Sequence, residues 1–345
     1  ILTYQLGGPA ELRFFDHSGK SAPAPTQLPV GSVGGVALLD GGKILFNNVS
    51  YLQPSAWYEF DPAAAKPTTR KTALAVKAPV NFDDCEIIRE FATSKDGTKI
   101  PVNIIRKKGT KLDGANPCVV TAYGGYGVNI DPAFRAGTRV LIDHGFIWAE
   151  ANIRGGGEYG ETWHRQGALV HKQNVFDDFA AACKHMIDKK YTNPEKLAIE
   201  GGSNGGLLMG ATVAQHSEMI KAVVSHVGIY DMLRVELSSN GAFNIPEFGT
   251  VKDEAQFKAL YAYSPYHRVK EGVKYPAVLF LTGANDPRVD PMQSRKMTAR
   301  LQAVGADVLL RTSSNSGHGM GSSLNERIEQ AVDIDAWLFH KLDVQ

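Results

Sequence analysis

One short run constrains this chain more than any other. Gly201-Gly202-Ser203-Asn204-Gly205-Gly206 contains G-x-S-x-G. It lies between the apolar run Leu197-Ala198-Ile199 and a helical pattern that opens at Leu207. A strand that turns this sharply into a helix needs glycines where side chains would clash. Such a turn lifts the Ser203 hydroxyl above the C-terminal edge of a sheet and sets it beside a helix N-terminus. The dipole there favours developing negative charge. A phosphate-binding loop would carry a Lys-Ser or Lys-Thr pair at the helix start, whereas Leu207-Leu208 stands there. The run predicts a nucleophile on a strand–helix elbow.

The flanking sequence suits the sheet that such an elbow needs. From about residue 76, strand-like runs alternate with helical ones, which marks a largely parallel sheet with crossover helices. Residues 85–91 and 100–105 read as a hairpin around Lys95-Asp96-Gly97. Residues 118–123 and 146–151 are continuous apolar strands, as expected when both sheet faces are covered. Val175, Phe176, Phe179, Ala182, Cys183, Met186 and Ile187 recur at helical spacing. Later strands fall at 222–225, 277–281 and 308–310, and a final amphipathic helix near 324–341. The expected fold class is α/β, an α/β-hydrolase fold with a mostly parallel sheet flanked by helices.

The first 70 or so residues differ. Runs such as Leu12-Arg13-Phe14-Phe15 alternate with turn clusters such as Asp16-His17-Ser18-Gly19. These strands are too few to close a sandwich, barrel or propeller. The chain also opens on Ile1-Leu2-Thr3-Tyr4, so it reads as a piece of something longer, and any leader segment is left open.

A serine hydroxyl is a poor nucleophile until a base takes its proton, and an imidazole base needs a carboxylate to hold its tautomer. In this fold the order along the chain is Ser, then Asp or Glu, then His. Asp286 follows the predicted strand 277–281, and His318 follows 308–310 within Ser316-Gly317-His318-Gly319. Asp290 is the rival to Asp286, one turn further from the strand end. Of the ten histidines, His144, His185 and His340 fall in helical stretches and are expected to be packing or surface residues. Gly155-Gly156-Gly157-Glu158-Tyr159-Gly160 satisfies G-x-G-x-x-G. It is not followed at once by an apolar helix face, nor by a strand-end acid about 20 residues on, so a dinucleotide site is not expected.

Longer motifs then narrow the reading. Residues 151–164, from Ala151-Asn152-Ile153-Arg154 to Trp163-His164, resemble a signature stretch of the prolyl oligopeptidase family. So do residues 94–101, Lys172-Gln173-Asn174, Gly201–Gly206 and Tyr263-Ser264-Pro265, in the same order. The resemblance implies an α/β-hydrolase peptidase domain over 71–345, preceded over 1–70 by the last blades of a β-propeller, the rest of which is expected in the full-length protein. It implies a serine-type endopeptidase or oligopeptidase that cleaves short peptides through an acyl-enzyme, on the carboxyl side of proline. The alternatives are a peptidase of the same family with a broader preference at P1, the residue before the scissile bond, or an esterase on the same fold. The family's catalytic residues fall on Ser203, Asp286 and His318. Its oxyanion donors fall on the Tyr123 hydroxyl and the Asn204 amide, and a carbonyl-binding arginine falls on Arg288. In the pocket for the P1 side chain, Asn244 holds the place of a family tryptophan, with Phe243 beside it. Tyr126 holds that of a phenylalanine, and Ile229, Phe248 and Val289 keep the apolar lining. Losing an aromatic plate weakens selection for a flat pyrrolidine ring.

No metal or organic cofactor is implied. Thirty-seven basic against 36 acidic residues give a net charge of +1, so nucleic acid is not an expected partner. No apolar run reaches the ~18 residues of a membrane span, so no membrane partner is expected either. The three cysteines are odd in number and widely spaced, which argues against a disulfide framework or a zinc site. Unpaired thiols favour a cytoplasmic location, with the periplasm left open.

Overall fold

The computed structural model describes residues 1–314, 316–319 and 323–344. The N-terminal part is antiparallel. Strands β1 (Leu2–Gln5), β2 (Ala10–Phe15) and β3 (Ser21–Ala22) form one small sheet. Strands β4 (Gly31–Leu38), β5 (Ile44–Ser50), β6 (Ala56–Phe60) and β7 (Thr69–Ala75) form another. Alternation explains the second sheet: β5 is buried at Ile44, Phe46, Asn48 and Ser50 and half-buried at the residues between. Leu12 and Phe14 from the first sheet pack against Ile44, Phe46 and Phe60 of the second, as neighbouring propeller blades would. Strand β7 is one the sequence did not single out. It pairs with β6, so the antiparallel sheet runs past the expected division at residue 70 and ends at Ala75.

The rest of the chain forms an eight-stranded sheet. Its strands are β8 (Cys85–Thr93), β9 (Lys99–Lys107), β10 (Cys118–Thr121), β11 (Ile147–Ala151), β12 (Leu197–Gly202), β13 (Ala222–His226), β14 (Ala277–Gly283) and β15 (Val308–Ser313). Their order across the sheet is β15-β14-β13-β12-β10-β11-β9-β8. The expected hairpin is the antiparallel pair β8/β9. β9 also runs antiparallel to β11, and every pairing from β11 to β15 is parallel. This is the α/β-hydrolase sheet with its antiparallel start.

Both faces of the sheet are covered, so its strands read as apolar runs, not alternating ones. In β12, Leu197 and Ile199 point into one core and Ala198 into the other. The larger core takes the apolar stripe of the helix Gln173–Asp188, including Val175, Phe176, Phe179 and Met186, and the almost wholly buried helix Asn204–Gln215. The second lies under Leu141, Ile142, Trp337 and Leu338. Each such aliphatic or aromatic side chain contributes about 1.5–3 kcal/mol on burial. The final helix, Leu324–Lys341, starts where Ser323 Oγ accepts from the Glu326 amide at 3.2 Å, an N-cap that fixes the first turn.

The N-terminal sheets are fastened to the large sheet by polar contacts. Tyr51 donates to the buried Glu150 carboxylate of β11 at 2.6 Å, and Arg89 of β8 donates to the carbonyls of Leu6 and Gly7.

Candidate active site

The parallel strands place the predicted groups together at one edge. Tyr123 follows β10, Ser203 follows β12, Ile229 follows β13, Asp286 follows β14 and His318 follows β15. Each emerges at the carboxyl end of its strand, where the loops of an open α/β sheet converge. Ser203 sits at φ +59° and ψ −117°, a conformation that costs a non-glycine residue on the order of 1–3 kcal/mol. The surroundings enforce it. The elbow is so tight that a Cβ on Gly206 would come within 2.5 Å of Gly228 Cα, and one on Gly201 within 2.6 Å of the Gly205 carbonyl oxygen. The helix therefore reaches the sheet only through glycine.

His318 Nε2 lies 2.9 Å from Ser203 Oγ, and His318 Nδ1 lies 2.7 Å from Asp286 Oδ2. A carboxylate can only accept, so Nδ1 carries the proton and Nε2 is left to accept from the serine. The other Asp286 oxygen accepts from the amides of Arg288 at 2.9 Å and Val289 at 3.0 Å. Burial alone would push this carboxyl up. The bonds from His318 and the two amides outweigh burial and hold it below the usual carboxylate range. Asp290, the rival, instead accepts from the Met292 amide at 2.9 Å.

Tyr123 lies beside Ser203 in the wall of the same cavity. Burial raises its phenol, and hydrogen bonding to Ser203 partly offsets this. Asn204 is buried, and its side chain donates to the Tyr123 carbonyl at 2.6 Å, tying the loop after β10 to the elbow. Its backbone amide is the first of the helix Asn204–Gln215 and so has no acceptor within the helix. A phenol and a helix-terminal amide beside one hydroxyl form a donor pair suited to an oxyanion.

These groups open onto a cavity of about 420 Å³ lined by Tyr123, Tyr126, Val128, Ser203, Ile229, Asn240, Phe243, Asn244, Arg288, Val289 and His318. Phe243, on the helix Gly241–Phe248, is 67% exposed and stacks on Tyr126 with centroids 5.8 Å apart and planes 18° from parallel. Tyr126 donates to Asn244 Oδ1 at 2.7 Å. Phe248 does not line the cavity. It is fully buried behind Tyr126, its ring edge-on at 5.6 Å. Arg288 is exposed, and among the described residues it makes no ion pair, so its guanidinium is available to a ligand. A larger cavity of about 570 Å³ lies between the outer strand β8 and the helix Gln173–Asp188 and shares no lining residue with this one.

The G-x-G-x-x-G run has a packing role. A Cβ on Gly155 would lie 2.5 Å from the Gly124 carbonyl oxygen, and one on Gly157 would lie 2.4 Å from that of Gly127. The run thus lets two loops touch backbone to backbone under the Tyr123–Tyr126 turn. Beside it, Arg154 is buried on Asp178 and also reaches Asp96.

Sequence reasoning missed one set of residues. Lys172, fully buried, pairs with Glu247 at 2.7 Å, and Glu247 also meets His164 Nε2 at 2.8 Å. Burial pushes the Glu247 carboxyl up, but the Lys172 charge and the bonds it receives bring it below its ordinary value. The three residues are scattered along the chain. Lys172 and His164 fall within the motifs that resemble the family, but nothing local to either assigned it a buried partner.

Among the described residues, no group of three or more His, Cys, Asp or Glu side chains could hold a metal ion. No described helix is long and apolar enough to cross a membrane.

Comparison with known proteins gives consistent results. The family model described as the prolyl oligopeptidase family matches residues 132–345. A prolyl endopeptidase of Elizabethkingia miricola is 35% identical over 348 residues, covering 99% of this chain and 49% of the relative. A prolyl endopeptidase of Dictyostelium discoideum is 39% identical over 315 residues, covering 88% of this chain and 41% of the relative. A structure solved in a study of two prolyl endopeptidases and inter-domain dynamics superimposes with a TM-score of 0.91 at 40% identity, covering 99% of this chain and 51% of that one. Prolyl oligopeptidase B of Galerina marginata, bound to a 35mer substrate, gives 0.90 at 29% identity, covering 99% and 49%. The chain spans about half the length of the curated relatives it matches.

Proposed function

This chain belongs to the prolyl oligopeptidase family, and on that premise we propose that it is the hydrolytic part of a serine peptidase cleaving short peptides after proline. The observation that carries the reading is the hydrogen-bonded line Ser203–His318–Asp286 at the head of a cavity. Ser203 attacks the carbonyl carbon while His318 Nε2 takes its proton. Asp286 holds the ring and stabilises the imidazolium. The Tyr123 hydroxyl and Asn204 amide bind the oxyanion. His318 then returns the proton to the leaving amine, and water releases the acyl group by the same route in reverse. Arg288 binds a substrate carbonyl at the cavity mouth. The P1 side chain enters between Phe243, Tyr126, Ile229 and Val289, where the exposed face of Phe243 offers a plate for a flat ring. The antiparallel sheets up to Ala75 are read as propeller blades beside the peptidase domain.

The Tyr126–Asn244 bond supports a second reading, a family member with a broader P1 preference, since it sets a polar pair in the pocket wall. Blocked chromogenic peptides with Pro, Ala, Phe, Arg or Glu at P1 separate the two. Fast cleavage after Pro and little after the others supports the first, and comparable rates support the second. If Ser203→Ala retains wild-type turnover, both are wrong.

A further inference from the structure

The pocket wall is built from two pieces of chain, the turn bearing Tyr126 and the helix Gly241–Phe248 bearing Phe243 and Asn244. Tyr126 sits at φ +57°, a left-handed conformation that a bulky residue keeps only when its surroundings hold it. What holds it lies behind the cavity. Lys172 Nζ donates to the Gly124 carbonyl at 3.0 Å and to Glu247 Oε1 at 2.7 Å. Glu247 takes the His164 ring nitrogen on its other oxygen, and the nearby Tyr126 backbone amide is among the groups that favour its charged form. One ammonium thus ties the carboxylate of the pocket helix to the carbonyl of Gly124, two residues before the strained Tyr126. Phe248, next to Glu247, meets the Tyr126 ring edge-on and lies 5.2 Å from Lys172 Nζ. None of Lys172, Glu247 and His164 lines the cavity or touches Ser203. A buried ion pair is a poor source of stability compared with apolar side chains of the same volume. In some proteins buried charged or polar groups serve instead to impose one geometry.

We propose that Lys172, Glu247 and His164 are positioning residues that lock the Tyr126 turn to the helix Gly241–Phe248 and thereby set the P1 selectivity of the cavity. This rests on the reading of that cavity as a peptidase substrate pocket. The network acts on the wall that meets the P1 side chain and leaves the Ser203–His318–Asp286 line intact.

The test uses the intact protein and two readouts on Lys172→Met. The first is the rate at which a small fluorophosphonate, too small to fill the pocket, labels Ser203. The second is kcat/KM for blocked peptides with Pro and with Gly at P1. The expected result is a Pro-to-Gly ratio lowered by at least about tenfold, mostly through KM, with labelling within about threefold of wild type. An unchanged ratio in the folded variant overturns the proposal. So does a fall in labelling as large as the fall in peptide cleavage, because the network would then support the whole site and not its selectivity. If Lys172→Met does not fold, His164→Gln at the half-buried end of the network carries the same measurement, with a ratio lowered by about threefold or more as the supporting result. A wild-type protein that neither labels nor cleaves would instead sink the peptidase reading and is told apart at the first step.

Discussion

Replacing Asp286 by Asn tests the proposed proton route at its narrowest point. The two carboxylate oxygens have different jobs: Oδ1 accepts from the amides of Arg288 and Val289, and Oδ2 accepts from His318 Nδ1. An amide in that place must turn its oxygen to the two backbone donors, because its NH2 group cannot accept from them. The NH2 group then faces His318 Nδ1 and can only donate to it. Nδ1 must become the acceptor, and the proton moves to Nε2, which lies 2.9 Å from Ser203 Oγ. In that tautomer the imidazole cannot take the serine proton. A loss of this kind lowers kcat by about 10⁴-fold, or ~5.5 kcal/mol of transition-state stabilisation. Because both backbone amides keep their acceptor and the volume is unchanged, the variant should unfold within a few degrees of wild type. The assay is hydrolysis of a blocked peptide p-nitroanilide alongside thermal unfolding, with Asp290→Asn as control. Among the described residues the Asp290 side chain accepts only from a local amide, so its variant should retain most activity. A folded Asp286→Asn protein with kcat/KM within about tenfold of wild type would refute the reasoning.

Two further outcomes follow from the same geometry. Tyr123→Phe removes one oxyanion donor and should lower kcat by about 10²- to 10³-fold with little change in KM, so unchanged kcat would remove Tyr123 from the oxyanion site. Asp335, on the last helix, has its carboxyl pushed up to about 6 by burial and by the Glu200 charge, against the opposing effect of His144. The folded state therefore holds this proton above the unfolded value of about 3.9, and stability should fall as pH rises from about 4 to 6. Thermal unfolding across that range should show a shallower decline for Asp335→Asn, and identical slopes would count against the shift.

Much of the architecture was legible because it rests on local rules. The apolar runs of β10 to β15, the helical spacing from Val175 to Ile187 and the glycine elbow each depend on neighbours a few residues away. Chain order then singled out Asp286 and His318. β7 escaped because only two of its seven residues, Thr69 and Thr72, are even partly buried, so it carries no alternation to read. Phe248 was expected in the cavity wall and lies behind it, since helical spacing turns it inward while Phe243 faces out. The sequence by itself determined the order of strands and helices and the serine, aspartate and histidine at their ends, because covalent spacing controls strand ends and turns. Only the tertiary structure decided what stands behind the pocket. Lys172, Glu247 and His164 meet through the folding of distant segments, and a buried charge can choose its partner only when the space around it has closed.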